Sequence, residues 1–272
     1  MSSFATAEPY QIANSEVRQL TSKSNGVDYS LYISLPKGYE KGKIDYPVVF
    51  TLDADYSFAL AHNIVEHLSD RNNLPKMIVV GIGYPGKGLD AIGYRLNRTR
   101  DYTPTYVATG GYGPQFQKHS GGASQFTKFI DQELIPFMVE TYGAGKNDRT
   151  IVGHSFGGLF ASYVLQTRAD LFQRYIIVSP SLWYDNNKLF EIQEKFAEDN
   201  TRLDAKVFLA VGSEEEQNGR PMITDLITFY ERLKIKKYQG LSINKRIFKD
   251  ETHNTVFPTA LTSGLVQIFK QK

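Results

Sequence analysis

The chain has 272 residues, a formal net charge of +2, and 41% hydrophobic against 22% charged residues, so it reads as a globular protein able to bury one sizeable core. So small a net charge argues against nucleic acid or an anionic membrane as partner. The absence of cysteine excludes disulfides, thiolate zinc sites and a cysteine nucleophile, and no apolar run approaches the roughly 18 residues of a membrane span.

The N-terminus has neither a basic start nor an apolar core. Phe4-Ala5-Thr6-Ala7-Glu8 does look like the small-residue end of a cleavage site. The expectation is therefore a periplasmic or secreted protein if residues 1–7 are the remnant of a signal peptide, and a cytoplasmic one otherwise. Beyond this point apolar, β-prone runs alternate with helical patterns, which predicts βαβ units and a mostly parallel sheet of about eight strands with helices on both faces.

Val17–Thr21 and Val27–Ser34 precede any helix and are expected to pair as an antiparallel edge. Pro47–Leu52 and Met77–Ile82 flank a predicted helix at Tyr56–Leu68. Thr150–Gly153, Tyr175–Ser179, Lys206–Val211 and Ser242–Phe248 follow as strands. Continuous apolar runs such as Val48-Val49-Phe50-Thr51-Leu52 suit strands covered on both faces. Further helices are predicted at Ala123–Glu140, Phe156–Leu165, Asn187–Glu198, Met222–Leu233 and Pro258–Phe269. Within the first of these, Phe126, Phe129, Ile130, Leu134 and Phe137 form one apolar stripe, and Pro136 predicts a kink or an end.

With no internal repeat or Gly/Ser linker, residues 1–272 are expected to form a single domain. Residues 83–122 fit no element. This stretch is rich in Gly, Tyr and Pro, and is expected to be a long irregular loop serving as a lid or binding loop. Lys87, Arg95, Arg98, Arg100 and Lys118 oppose only Asp90 and Asp101 there, a local excess of cations larger than that of the whole chain.

Gly153-His154-Ser155-Phe156-Gly157-Gly158 reads G-x-S-x-G with one more glycine. It lies between a β-prone run and an apolar helical run. That context places Ser155 on a sharp strand-to-helix turn, its hydroxyl free at the carboxyl end of the sheet, where open α/β sheets bind ligands. A triad on such a turn follows the chain order serine, acid, histidine. His253 is the one histidine after Ser155 and falls between the last strand and the last helix, so it is the expected base. His62, His67, His119 and His154 show no metal-ligand spacing and are read as packing or surface residues; no metal site is expected.

The acid should follow strand Lys206–Val211, where Ser213-Glu214-Glu215-Glu216 stands. Glu215 is the first choice among the three glutamates, Asp185 and Asp250 are alternatives, and a serine–histidine dyad is a further one. An oxyanion hole needs two N–H donors. Phe156 supplies one and the loop after the third strand the other, with Asp55 expected and Ala54 next. N-capping of the helix Tyr56–Leu68 is the competing role for Asp53 or Asp55.

Several segments resemble the esterase D-like branch of the α/β hydrolases, which includes the siderophore trilactone esterases. They are Tyr46–Asp53, Val80–Tyr84, Arg98-Thr99-Arg100-Asp101-Tyr102-Thr103-Pro104, Gly153–Gly158, Ser179–Trp183 and His253–Pro258, in family order from Tyr46 to Phe269. The resemblance implies an α/β-hydrolase fold and ester hydrolysis through an acyl-serine intermediate, with no metal or cofactor. It also implies that Arg98 and Tyr102 lie near the pocket mouth. Trp183 is a further expected substrate contact. Asp53-Ala54 departs from the family's frequent Asp-Gly. The substrate is expected to be a small-molecule ester, a siderophore trilactone or a small acyl ester. The basic residues of 83–122 suit an anionic ferric catecholate, and Tyr84, Tyr94, Tyr102, Tyr106 and Trp183 its rings. The alternative is that these arginines pair with Asp90 and Asp101 and hold the loop in place. The same residues would also serve an acyltransferase, an amidase or peptidase, or, without turnover, a ligand-binding protein.

Overall fold

The computed structural model describes residues 7, 9–86, 91–216 and 220–270. Phe4-Ala5-Thr6, in the stretch read as the end of a cleavage site, and Lys87 and Asp90 lie outside the described residues.

Eight strands form one sheet: β1 (Ser15–Thr21), β2 (Asp28–Ser34), β3 (Tyr46–Leu52), β4 (Ile78–Gly83), β5 (Ala144–His154), β6 (Arg174–Val178), β7 (Lys206–Gly212) and β8 (Ser242–Phe248), in the spatial order β1-β2-β4-β3-β5-β6-β7-β8. β1 pairs antiparallel with β2, and β2 antiparallel with β4; every other pairing is parallel. This is the expected mostly parallel α/β sheet with an antiparallel edge.

Side chains alternate across a strand, so an apolar run supplies two cores at once. Phe50, Leu52, Ile151, Tyr175 and Leu209 join one cluster, with Leu159 of α6 (Phe156–Thr167) and Leu226 of α8 (Met222–Lys236). Val49, Val152, Ile176 and Phe208 join the other, with Phe58 of α1 (Ala54–Ser69) and Leu261 of α9 (Val256–Phe269). Burial on both faces explains why these strands read as unbroken apolar runs.

Strand β5 begins six residues before the predicted Thr150, and two stretches differ in kind from their sequence reading. Within 83–122, expected to be irregular, residues Ala91–Tyr102 form helix α2 and Pro114–Gln117 form a short α3. The buried residues of α2 are Arg98, Thr99, Asp101 and Tyr102, so its inner face is polar and carries no apolar stripe to read. The helix read over Ala123–Glu140 is α4 (Ala123–Phe129), a π-helical turn (Ile130–Leu134) and α5 (Ile135–Tyr142). The wide turn directly precedes Pro136, whose missing N–H cannot continue the α ladder. Helix α7 spans Tyr184–Asp199, but Asp185, Asn186 and Asn187 are left-handed, so its regular part begins after Asn187.

Candidate active site

β5 ends at His154, Ser155 turns the chain, and α6 begins at Phe156. Ser155 has φ 60° and ψ −118°, a region costly for any side-chain-bearing residue and typical of a nucleophile elbow. The turn closes because two of its flanks lack a Cβ. A Cβ on Gly153 would stand 2.1 Å from the Gly157 carbonyl oxygen, and one on Gly158 would stand 2.9 Å from that of Val178. The serine backbone is tied on both sides: its N–H donates to Val178 O at 3.0 Å, and its carbonyl accepts from Leu159 N at 2.9 Å and Ser181 N at 3.1 Å. The hydroxyl has little to hold it. Among the described residues it meets one hydrogen-bond partner, the Ser181 hydroxyl at 3.5 Å. The contact with a base that such a serine needs often forms only when substrate binds.

His253 occupies the turn between β8 and α9. Its Nδ1 lies 2.6 Å from Glu215 Oε2. A carboxylate only accepts, so Nδ1 carries the proton and Nε2 is left as the acceptor. The other Glu215 oxygen accepts from the Ser179 hydroxyl at 2.6 Å and the Gly212 N–H at 2.7 Å. With its side chain 1% exposed, Glu215 is fully enclosed by donors.

The neighbouring glutamates go elsewhere. Glu216 accepts from the Ile223 N–H at 2.7 Å, at the start of α8. Glu214 faces the cleft. Of the two alternative acids, Asp185 accepts from the Thr105 hydroxyl at 2.7 Å, and Asp250 is exposed beside Lys249.

Ser155, His253 and Glu215 line one cleft of about 640 Å³, walled by Tyr112, Phe156, Trp183 and Arg220. The Arg220 guanidinium lies 4.8 Å from the centre of the Trp183 ring. The Phe156 N–H has no backbone partner among the described residues. In the first turn of α1, Tyr56 N and Ser57 N donate to the Asp53 carbonyl, whereas Ala54 and Asp55 have no carbonyl partner there. Neither Ala54 nor Asp55 is part of the cleft lining. Asp53 makes no side-chain cap.

The placement of Arg98 and Tyr102 at the pocket mouth is corrected. They are 2% and 0% exposed, and neither lines the cleft. α2 turns them inward, where Arg98 Nε donates to Asp53 Oδ1 at 2.8 Å and the Tyr102 hydroxyl accepts from the Asp53 N–H at 3.3 Å. Arg100 pairs likewise with Asp101, at 2.7 and 2.9 Å, and Tyr84 is buried with its hydroxyl on Asp101. The alternative reading thus holds for Arg100, paired with Asp101, whereas the partner of Arg98 is Asp53, outside the stretch 83–122. Of the aromatic residues expected to meet substrate, Trp183 is the one that lines the cleft.

His154, read from the sequence as a packing or surface residue, packs against His253. Its ring centre lies 4.6 Å from that of His253, its Nδ1 lies 3.3 Å from the Tyr56 hydroxyl, and its Nε2 is buried with no hydrogen-bond partner among the described residues. Burial first, then the nearby His253 and Arg98, pushes this imidazole well below its ordinary value, so it is neutral in the folded protein. The unfolded chain takes up a proton near pH 6.5 that the native state does not. Stability from this group is thus complete above about pH 6.5 and falls on acidification, by up to about 1.4 kcal/mol per pH unit. His154→Gln should flatten that slope, measured as the difference in urea midpoint between pH 7 and pH 5. An unchanged slope would remove His154 as its source.

A sheet of this order, with a serine on a glycine-lined elbow at its carboxyl edge, defines a serine hydrolase of the α/β-hydrolase class. The chain belongs to the esterase family, whose model, described as "Putative esterase", matches residues 22–243. It is 30% identical to the ferri-bacillibactin esterase BesA of Bacillus subtilis over 96% of this chain and 91% of that protein. It is 26% identical to the siderophore enterobactin esterase of Emericella nidulans over 97% and 96%. The BES protein from Bacillus cereus superposes with a TM-score of 0.85 at 29% identity, covering 98% of this chain and all of that one. The chain is thus related to siderophore esterases.

Proposed function

We propose that this protein hydrolyses carboxylic esters through an acyl-enzyme on Ser155, with His253 as base and Glu215 as the acid that orients it. The observation that carries the reading is the 2.6 Å contact of His253 Nδ1 with Glu215 Oε2 beside the same cleft as Ser155. His253 Nε2 takes the hydroxyl proton as Ser155 Oγ attacks the ester carbonyl carbon. The carbonyl oxygen becomes an oxyanion, received by the Phe156 N–H and by an N–H from the first turn of α1, Asp55 or Ala54. Collapse expels the alcohol, which takes the proton back from His253. Water, deprotonated by the same imidazole, then releases the acid and frees Ser155.

The substrate we infer is a siderophore trilactone in its ferric catecholate form. Trp183, Tyr112 and Phe156 offer ring faces, and Arg220 supplies a cation to an anionic complex. The names of the relatives lend support, because two of them are esterases of siderophores. A small acyl ester is the competing substrate. Wild type should release product from ferric enterobactin much faster than from p-nitrophenyl acetate or a longer p-nitrophenyl ester, and all three activities should be lost in Ser155→Ala. Cleavage of the simple esters alone would leave a general esterase. Release that survives Ser155→Ala would overturn the serine mechanism, and no release from any of the three would favour transfer or binding.

A further inference from the structure

Arg98 is buried and does not line the cleft, and its guanidinium donates to separate pieces of chain. Nε donates to Asp53 Oδ1 at 2.8 Å in the turn after β3. Nη2 donates to the carbonyl oxygen of His154 at 3.1 Å, the residue just before the serine. Nη1 donates to the hydroxyl of Tyr112, on the cleft wall. Tyr94, Tyr102 and Phe156 lie against the same guanidinium, with ring centres 4.9, 5.7 and 5.7 Å away.

A second path joins the same two backbone segments. The Tyr56 hydroxyl lies 3.4 Å from Asp53 Oδ2 and 3.3 Å from His154 Nδ1. Arg98, Asp53, Tyr56 and His154 therefore close a ring of contacts. Asp53 itself is left-handed, with φ 57°, and the Tyr102 hydroxyl holds its N–H. A buried ion pair is a weak device for stability, because two charges must be stripped of water. It is a strong device for geometry, because the guanidinium is planar and its donors point in fixed directions.

We infer that Arg98 is a positioning residue that sets the separation between the first turn of α1 and the Ser155–Phe156 elbow, and with it the spacing of the two oxyanion donors. This rests on the serine mechanism proposed above. Lysine has one point of charge and cannot address Asp53 and the His154 carbonyl in the same directions, so it should not substitute.

The test compares Arg98→Lys and the charge-neutral double variant Arg98→Gln/Asp53→Asn with wild type and Ser155→Ala. The double variant leaves no unpaired charge in the interior if Arg98→Lys does not fold. Kinetics on a p-nitrophenyl ester are read together with inhibition by a trifluoromethyl ketone, whose serine adduct carries an oxyanion, and by the methyl ketone of the same shape. Folding is checked by circular dichroism. The expected result is a kcat loss of about 10²–10³-fold with KM changed less than about threefold, the size seen when one oxyanion donor is lost. Affinity for the trifluoromethyl ketone should fall by about the same factor, and that for the methyl ketone should stay. Folded variants that keep kcat within about threefold, or that raise KM with kcat intact, would overturn the inference and return Arg98 to packing or to substrate contact. If Ser155→Ala keeps the wild-type rate, the serine mechanism itself fails and the inference fails with it.

Discussion

Ser155→Ala is expected to remove at least about 10⁴-fold of the esterase rate while leaving the folded protein at least as stable as wild type. The two halves of this expectation have separate causes. The rate falls because the covalent route ends, and the remaining donors can only assist direct attack by water. Stability holds because the hydroxyl contributes one long contact, 3.5 Å to Ser181. The backbone bonds to Val178, Leu159 and Ser181 do not involve the side chain at all. Initial rates on a p-nitrophenyl ester, with thermal unfolding on the same samples, decide the matter. A folded variant turning over at the wild-type rate would remove Ser155 from the chemistry.

His253→Ala should come close to the same loss, since it takes the proton acceptor from the first step and the proton donor from the second. Glu215→Gln should cost less, about 10²–10⁴-fold. The amide can still accept from Ser179 or Gly212, but it no longer stabilises the imidazolium that forms as Ser155 attacks. Its NH₂ group also competes to face Nδ1, which would favour the wrong tautomer. Glu214→Gln and Glu216→Gln should fall within about threefold of wild type, because Glu215 makes the bond to His253 Nδ1 and Glu216 is bonded to the start of α8. Equal activity in all three glutamine variants would instead favour a serine–histidine dyad. The measurement is kcat/KM against pH for each variant, so that a shifted base is not mistaken for a lost one.

The sheet was legible in the sequence because each central strand must be apolar on both faces. Val48 to Leu52 and Lys206 to Val211 could be read nearly to the residue for that reason. The elbow was legible because its glycines are required by contact: a Cβ at Gly153 has nowhere to go. That the acid follows β7 was legible, with Glu215 as first choice, but what singles it out from its two neighbouring glutamates was not. The distinction depends on Glu215 turning inward to Ser179 and Gly212, and these donors are ordinary in sequence. The interior position of Arg98 was hidden for a different reason. An arginine on a polar helix reads as a surface residue, and the compensating Asp53 stands 45 positions earlier. His154 reads as a packing or surface residue, and its particular partner, the ring of His253, is announced by no spacing in the chain.

The order in which β5 finds its neighbours bears on how the enzyme comes into being. Thr150 pairs with Arg174 on one side, roughly 25 residues later, and with Val49 on the other, roughly 100 residues earlier; two doublings of loop length make the second closure about 1.2 kcal/mol costlier in chain entropy. β5 to β8 thus form a register of nearer neighbours, and this half carries Ser155, Glu215 and His253. The strands before it, with Asp53 and the first turn of α1, join through the more distant pairing. The reacting groups and the Phe156 donor thus lie among near neighbours along the chain, and only the second oxyanion donor is brought in across the more distant pairing.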